Sequence, residues 1–355
     1  MRFVRNPFRE PGPFPPPSAA AREFHRTLAG YAPTPLVDCP TLADSLGLGS
    51  LHVKDESHRF GLNSFKALGA SYAMRNIEAP IGRRNRLPHH GNSSSSSEVG
   101  QAVSPVERVI PPTTFSAATA GNHGRAVAWS ARRLGCEAKI FVPSITIPVR
   151  IENIRREGAD VRIVEGTYED AVRLCDAESR EYGWQVISDT GYPGYLEIPK
   201  LVVEGYQTLF LECECEPDAV FIQAGVGGLL CAAVNHFRSR EPSPTIVCVE
   251  PEVADGLLES ISLGEPSVSK GPQNSIMAGL NCSEVSLTAW PSIRRGVDIF
   301  LAIEDFRTLD AMRLLAAVGI DSGESGAAGL AGLIALRDQF QRQRVLVVNT
   351  EAHCT

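Results

Sequence analysis

Apolar residues along this chain fall into two alternating patterns. The runs "AKIFVPS", "DVRIVEG", "DAVFIQAG", "TIVCVEP" and "RVLVVNT" are short, β-branched and continuous, and each ends in a turn or small residue. Continuous runs of this kind predict strands buried on both faces of a parallel sheet. Between them, "PVRIENIRREG", "YEDAVRLCDAESREYG" and "EDFRTLDAMRLLAAVG" space their apolar residues helically and close near a glycine. Strands alternating with helices predict an open α/β sheet, a fold that binds ligands outside the carboxyl ends of its strands.

Two polar stretches break the pattern. The opening, "MRFVRNPFREPGPFPPPSAA", reads as an extended arm lying on the surface up to about Ala20. No apolar core follows its first arginines, so it does not read as a secretory leader. From Ala79 to Pro112 the chain is rich in Ser, Pro and Gly and includes "NSSSSSEVG". This composition predicts a flexible surface insertion, with phosphorylation of the serines as the alternative use.

Composition narrows the function classes. The chain has 355 residues, 43% hydrophobic and 21% charged, enough for one large or two medium globular domains. Its formal net charge of -7 argues against a nucleic-acid binder. No run approaches the roughly 18 apolar residues of a membrane span. Nine cysteines occur without a C-x-x-C pair, which favours reduced thiols in a cytoplasmic setting over a zinc site.

Four segments carry candidate chemistry. In "ESHRFGLNSFKALGASYA", Lys66 opens a helix of small residues, where the helix dipole disfavours a cation. It is either a surface lysine or an amine kept for covalent chemistry. In "QAGVGGLLCAAV", Gly225, Gly227 and Gly228 follow a strand and precede a helix near Leu229, an arrangement that cradles phosphate. Gly-x-Gly-x-x-Gly fails at Leu230, so it is not a dinucleotide fingerprint, and a purely conformational glycine turn remains the alternative. In "SAATAGNHGRAVAW", Thr119 can cap a helix, Gly121 lets an anion approach the backbone, and Asn122 offers an amide. His123 has Val127 rather than a ligand at i+4, so it reads as structural or as supporting another residue of a site, and no metal site is expected. In "VVNTEAHCT", Thr350 follows a strand and could project its hydroxyl into a crevice, while Glu351 and His353, ligand candidates in isolation, are explained more cheaply as part of a frayed, solvated end.

A reactive amine, a phosphate cradle, an amide and a hydroxyl together are what a pyridoxal phosphate enzyme requires. The motifs "KDESHRFGLNSFKALGASYA", "TAGNHGRAVAW", "SDTGYPGYLEIP", "SIMAGLN", "SGESGAAGL" and "VVNTE" resemble the diaminopropionate ammonia-lyase family. The resemblance runs from about Phe24 to Glu351, and "PTPLVDCPTLADSLG" fits it as well. It implies the tryptophan-synthase-β-like, fold type II architecture: two open twisted α/β sheet domains with the cofactor in the cleft between them. The implied division is a large cofactor-binding domain of residues 1–69 and 191–355 and a small domain of residues 70–190 with the insertion at about 79–112. A homodimer acting on a small amino acid is implied too, with neither nucleic acid nor membrane as partner.

By the same resemblance, Lys66 carries pyridoxal 5'-phosphate and small neighbours such as Ala67 and Gly69 give the cofactor room. Gly225, Val226, Gly227, Gly228 and Leu229 match the phosphate loop. Asn122 matches the residue bonded to the ring hydroxyl, and Thr350 the position facing the ring nitrogen. Thr119, Ala120, Gly121 and His123 match the loop for the substrate carboxylate. Asp189 matches a substrate-side aspartate that orients or protonates the departing amine, with a strand-ending turn as its alternative. Glu324 is read as touching the cofactor, with a helix cap as its alternative. Lys66 is expected to be a neutral amine with a pKa depressed by burial. The implied activity is α,β-elimination on 2,3-diaminopropionate to give pyruvate and ammonia. Serine or threonine dehydration, β-replacement and a catalytically degenerate binding protein are the competing readings. One departure matters: the family reads T-D-G-N-H-G where this chain has Ala120, which accepts no proton. A site with one base predicts preference for the L-isomer.

Overall fold

The structure is a computed structural model that describes residues 1–12, 14, 16–77, 114–119 and 121–354. The expected insertion at about 79–112 and Ala120 lie outside the described residues. In chain order the strands begin with β1 (Arg2–Arg5), β2 (Leu36–Asp38), β3 (Ser50–Asp55) and β4 (Thr114–Ala118). They continue with β5 (Glu137–Pro143), β6 (Asp160–Val164), β7 (Gln185–Val186) and β8 (Ala219–Gln223). The last are β9 (Thr245–Pro251), β10 (Ile299–Ile303) and β11 (Arg344–Asn349).

Seven of these form one sheet in the order β1-β10-β9-β8-β11-β3-β2. Its inner strands run parallel, and β1 and β2 close the edges antiparallel. The other four form a parallel sheet in the order β6-β5-β4-β7. Every residue of β8 and β10 is buried, as continuous apolar runs require when helices cover both faces. The run "DVRIVEG" departs from that expectation: in β6 only Val164 is buried. An edge strand has a neighbour on one side only, and here Asp160 faces solvent.

The opening is not simply a surface arm. Arg2–Arg5 pairs with β10, covering an edge that would otherwise present unpaired backbone groups, and Phe14 is buried. Among the described residues no helix is long and apolar enough to cross a membrane. All nine cysteines are free.

One helix crossing positions the site. The helix Lys66–Asn76 packs against the helix Glu197–Leu211 closely enough that a Cβ on Gly205 would sit 2.4 Å from the Leu68 carbonyl oxygen. A Cβ on Gly69 would sit 2.5 Å from Tyr206 Cε1. Gly69 therefore makes room for a helix crossing, not for a cofactor as expected.

The segment leading to Lys66 is pinned by a buried charge network. Arg59 Nη2 lies 2.7 Å from both Glu56 Oε1 and Glu212 Oε2, and Lys54 Nζ lies 2.7 Å from Glu212 Oε2. Two cations matched by two carboxylates keep the buried cluster neutral, the condition under which such charges are tolerated in a core.

Candidate active site

Five strand ends meet. β3 leads through a turn to Lys66, β4 to Thr119–Asn122, β7 to Asp189, β8 to the glycine turn, and β11 to Thr350 and Glu351. The chain before Lys66 is tied to the end of β11: Phe65 N–H donates to the Thr350 carbonyl at 3.2 Å, and Ser64 bridges Glu351. Lys66 Nζ donates to Asp189 Oδ2 at 2.6 Å. Asn122 Nδ2 donates to Glu351 Oε2. Gln223 Nε2, at the end of β8, lies 3.2 Å from Thr350 Oγ1 and nearer to the carbonyls of Ser325, Gly326 and Val348, which ties the threonine to the start of the helix that follows Gly323.

The Lys66–Asp189 contact answers the question of a cation at a helix start. Burial opposes the ammonium most strongly, but the charge and hydrogen bond of Asp189, with Tyr206 and Cys282 adding to them, together lift the Lys66 pKa above the ordinary lysine value. Burial likewise opposes the carboxylate, yet Lys66 and then His123 hold Asp189 well below the usual carboxylate range. While Lys66 is a free amine it is thus a paired ammonium, and the expectation of a neutral amine produced by burial alone is corrected. The opposite charge, its hydrogen bond and the other neighbours together override desolvation. His123 Nε2 donates to the Ile187 carbonyl at 2.8 Å, which leaves Nδ1 facing Asp189 Oδ2 at 3.9 Å.

Thr119 caps the helix Asn122–Arg133 from two residues before Gly121, its hydroxyl accepting from the N–H groups of Gly121 at 3.1 Å and Gly124 at 3.3 Å. In the glycine turn, Gly227 adopts φ 100°, a left-handed conformation that favours glycine, and Gly228 opens the helix Gly228–Phe237. A Cβ on Gly225 would meet Cys282 Sγ at 2.9 Å.

Residues 27–351 match the family of pyridoxal-phosphate dependent enzymes. A diaminopropionate ammonia-lyase of Salmonella typhimurium is 38% identical over 93% of this chain and 85% of its own length. The chain belongs to the diaminopropionate ammonia-lyase family. The Escherichia coli K12 diaminopropionate ammonia-lyase is 34% identical over 92% of this chain and 83% of its own. A crystal structure of the Escherichia coli diaminopropionate ammonia-lyase, in complex with an aminoacrylate-PLP azomethine reaction intermediate, superposes with TM-score 0.85 at 32% identity. That match covers 99% of this chain and 93% of the other, and the shared architecture is fold type II.

The residues present fit the cofactor of this family. An amine at 66 stands near a glycine turn whose first position has no space for a side chain, at the positive end of a helix. The Tyr206 hydroxyl, buried beside both, has Lys66 as its polar neighbour and no acceptor for its own hydrogen among the described residues.

Three residues of the site escaped the sequence reading. Glu351 is buried and bonded to Asn122, not part of a frayed end, and among the described residues beyond it His353 is exposed. The signal was available: Glu351 follows Thr350 directly after β11, where strand ends carry ligands. Burial raises its pKa, with Arg150 opposing the shift and the charge of Glu324 adding to it. Gln223 and Tyr206 lie in apolar runs that gave no sign of a site role. Glu324 opens the helix Glu324–Leu336 as its first residue without a side-chain cap bond.

Proposed function

We propose that this protein catalyses α,β-elimination on 2,3-diaminopropionate, releasing pyruvate and two molecules of ammonia. The observation that carries this reading is the Lys66–Asp189 pair beside the glycine turn, and the ammonia-lyase relatives support it. When bound, pyridoxal 5'-phosphate supplies an electron-withdrawing ring joined to the substrate nitrogen. Lys66 holds it by its amine, and Gly225, Val226, Gly227, Gly228 and Leu229 receive its phosphate. Asn122, Glu324 and Thr350 line its ring, and Thr119, Ala120, Gly121 and His123 receive the substrate carboxylate. A hydroxyl at 350 does not keep a proton on the ring nitrogen as a carboxylate would, which favours prompt loss of the β-substituent.

Charge matching selects the substrate. Once Lys66 is committed to the cofactor it no longer balances Asp189, and a buried carboxylate without a cation is costly. The β-ammonium of diaminopropionate restores that balance, whereas the β-hydroxyl of serine or threonine does not. Asp189, then paired with the β-ammonium, would orient the departing amine and would no longer hold a proton on Lys66, whose neutral amine would take the α-proton. We read residues 1–69 with 191–355 as the cofactor-binding unit and 70–190 as the smaller one. We also read the protein as a cytoplasmic homodimer, a reading to which the nine free cysteines lend support.

The test is a panel of amino acids assayed for 2-oxo acid and ammonia. L-2,3-diaminopropionate is expected to give two ammonia molecules per pyruvate. The D-isomer is expected to be turned over about 10²–10⁴-fold more slowly, since Ala120 supplies no base on the opposite face. Faster release of 2-oxobutyrate from threonine would favour the dehydratase reading, and comparable rates on both isomers would refute the one-base argument.

A further inference from the structure

Tyr206 has no assigned role, yet its setting is unusual. Its side chain is 1% exposed, and its hydroxyl donates to no acceptor among the described residues, its polar neighbour being the Lys66 ammonium, which can only donate to it. Buried hydroxyls are nearly always paired, because an unpaired one loses its bonds to water and gains nothing in return. The ring is wedged between two parts of the site. One edge lies against Gly69, one turn along from Lys66, where a Cβ would come within 2.8 Å of Tyr206 Cζ. The other edge lies against Gly228, the first residue of the helix after the glycine turn, where a Cβ would sit 3.5 Å from Cε2. Phe65 packs on the ring at 4.7 Å between centroids, and Lys66 Nζ lies 5.8 Å from the ring centroid.

The glycine turn itself, Gly225–Leu229, carries no side-chain donor and offers only backbone N–H groups. Burial raises the Tyr206 pKa, so the phenol keeps its proton at neutral pH and acts as a donor. We propose that Tyr206 donates a hydrogen bond to the phosphate of pyridoxal 5'-phosphate, adding a side-chain donor to the glycine turn. This inference rests on the cofactor reading above. It also gives the close helix crossing a purpose, because glycine at 69 and 205 lets the ring stand between the Lys66 helix and the glycine turn.

The test compares native protein with Tyr206→Phe, which keeps the ring and removes only the hydroxyl. Both are stripped of cofactor and titrated with pyridoxal 5'-phosphate and with pyridoxal, which has no phosphate. Their melting temperatures are measured before loading. A hydrogen bond to a charged group predicts about tenfold to a hundredfold weaker binding of the phosphorylated ligand by the variant. Pyridoxal binding should not change, and the stripped variant should melt at the same temperature as the stripped native protein or higher. Equal weakening for both ligands would assign the hydroxyl to Lys66 and overturn the proposal. So would no weakening for either ligand. A stripped variant that melts lower would mean that the hydroxyl already had a partner, and would overturn it too. Native protein that binds neither ligand would refute the cofactor reading instead.

Discussion

Two carboxylates of the site are pushed in opposite directions. Asp189 is held ionised by Lys66, whereas burial lifts the pKa of Glu351 above the ordinary glutamate value. Such divergence in one site separates groups that keep a charge from groups that can hold a proton. The Lys66–Asp189 pair also shapes stability against pH. Asp189 has a depressed pKa, so its contribution is present above the ordinary carboxylate range and lost as pH falls through the folded value. Lys66 has a raised pKa, so its contribution is present below the ordinary lysine value and lost only as pH rises through the folded one. The pair is therefore intact across neutral pH, which sets the chemistry of cofactor attachment. An ammonium must lose a proton before it attacks an aldehyde. Asp189→Asn removes the interaction that raises the Lys66 pKa and leaves the desolvation that lowers it. Attachment of pyridoxal 5'-phosphate to the stripped variant should then be faster at neutral pH, with its pH midpoint shifted downward in stopped-flow absorbance. Turnover of diaminopropionate should fall by about 10²–10⁴-fold. Attachment that is unchanged or slower would mean that Asp189 does not set the state of Lys66.

The helix crossing beneath the site depends on two glycines. Gly205→Ala would gain helix propensity of up to about 1 kcal/mol. The added methyl would, however, lie 2.4 Å from a backbone oxygen that cannot rotate away. Overpacking of this kind costs about 1–3 kcal/mol, so a net loss of stability is expected, together with weaker cofactor retention as the Lys66 helix is displaced. Chemical denaturation and cofactor titration would measure both, and an equally stable, fully loaded variant would contradict the described packing. The strands and helices were legible because buried runs and 3.6-residue spacing are local signals, and the glycine turn was legible because it follows one of those strands. Gly205 was not legible, since a glycine inside an apolar helical run looks the same whether or not another helix crosses it. Nor was the edge position of β6, because "DVRIVEG" reads as a strand without revealing how many neighbours it has. Glu351 was misread through its nearness to the chain end, although Ser64 bridges it and Asn122 bonds it. Chain-end position is a weaker guide than nearness to a strand's carboxyl end.

At the scale of the whole molecule, groups far apart in sequence are gathered by the carboxyl ends of strands in two sheets. Lys66 comes from beyond β3 in the larger sheet, and Asp189 from beyond β7 in the smaller, so their 2.6 Å contact joins the two. Within the larger sheet, β11 lies between β3 and β8, which sets Thr350 between the approach to Lys66 and the glycine turn. Tyr206 spans the same interval from below, on a helix that belongs to neither segment. If these elements hold pyridoxal 5'-phosphate on one amine, covalent trapping will locate it. The purified protein is loaded with pyridoxal 5'-phosphate, reduced with borohydride, digested and mapped by mass spectrometry. The account predicts loss of the visible absorbance and one modified peptide, carrying the pyridoxyl group on Lys66. A modification on any other lysine, or an unmodified protein after loading, would contradict it.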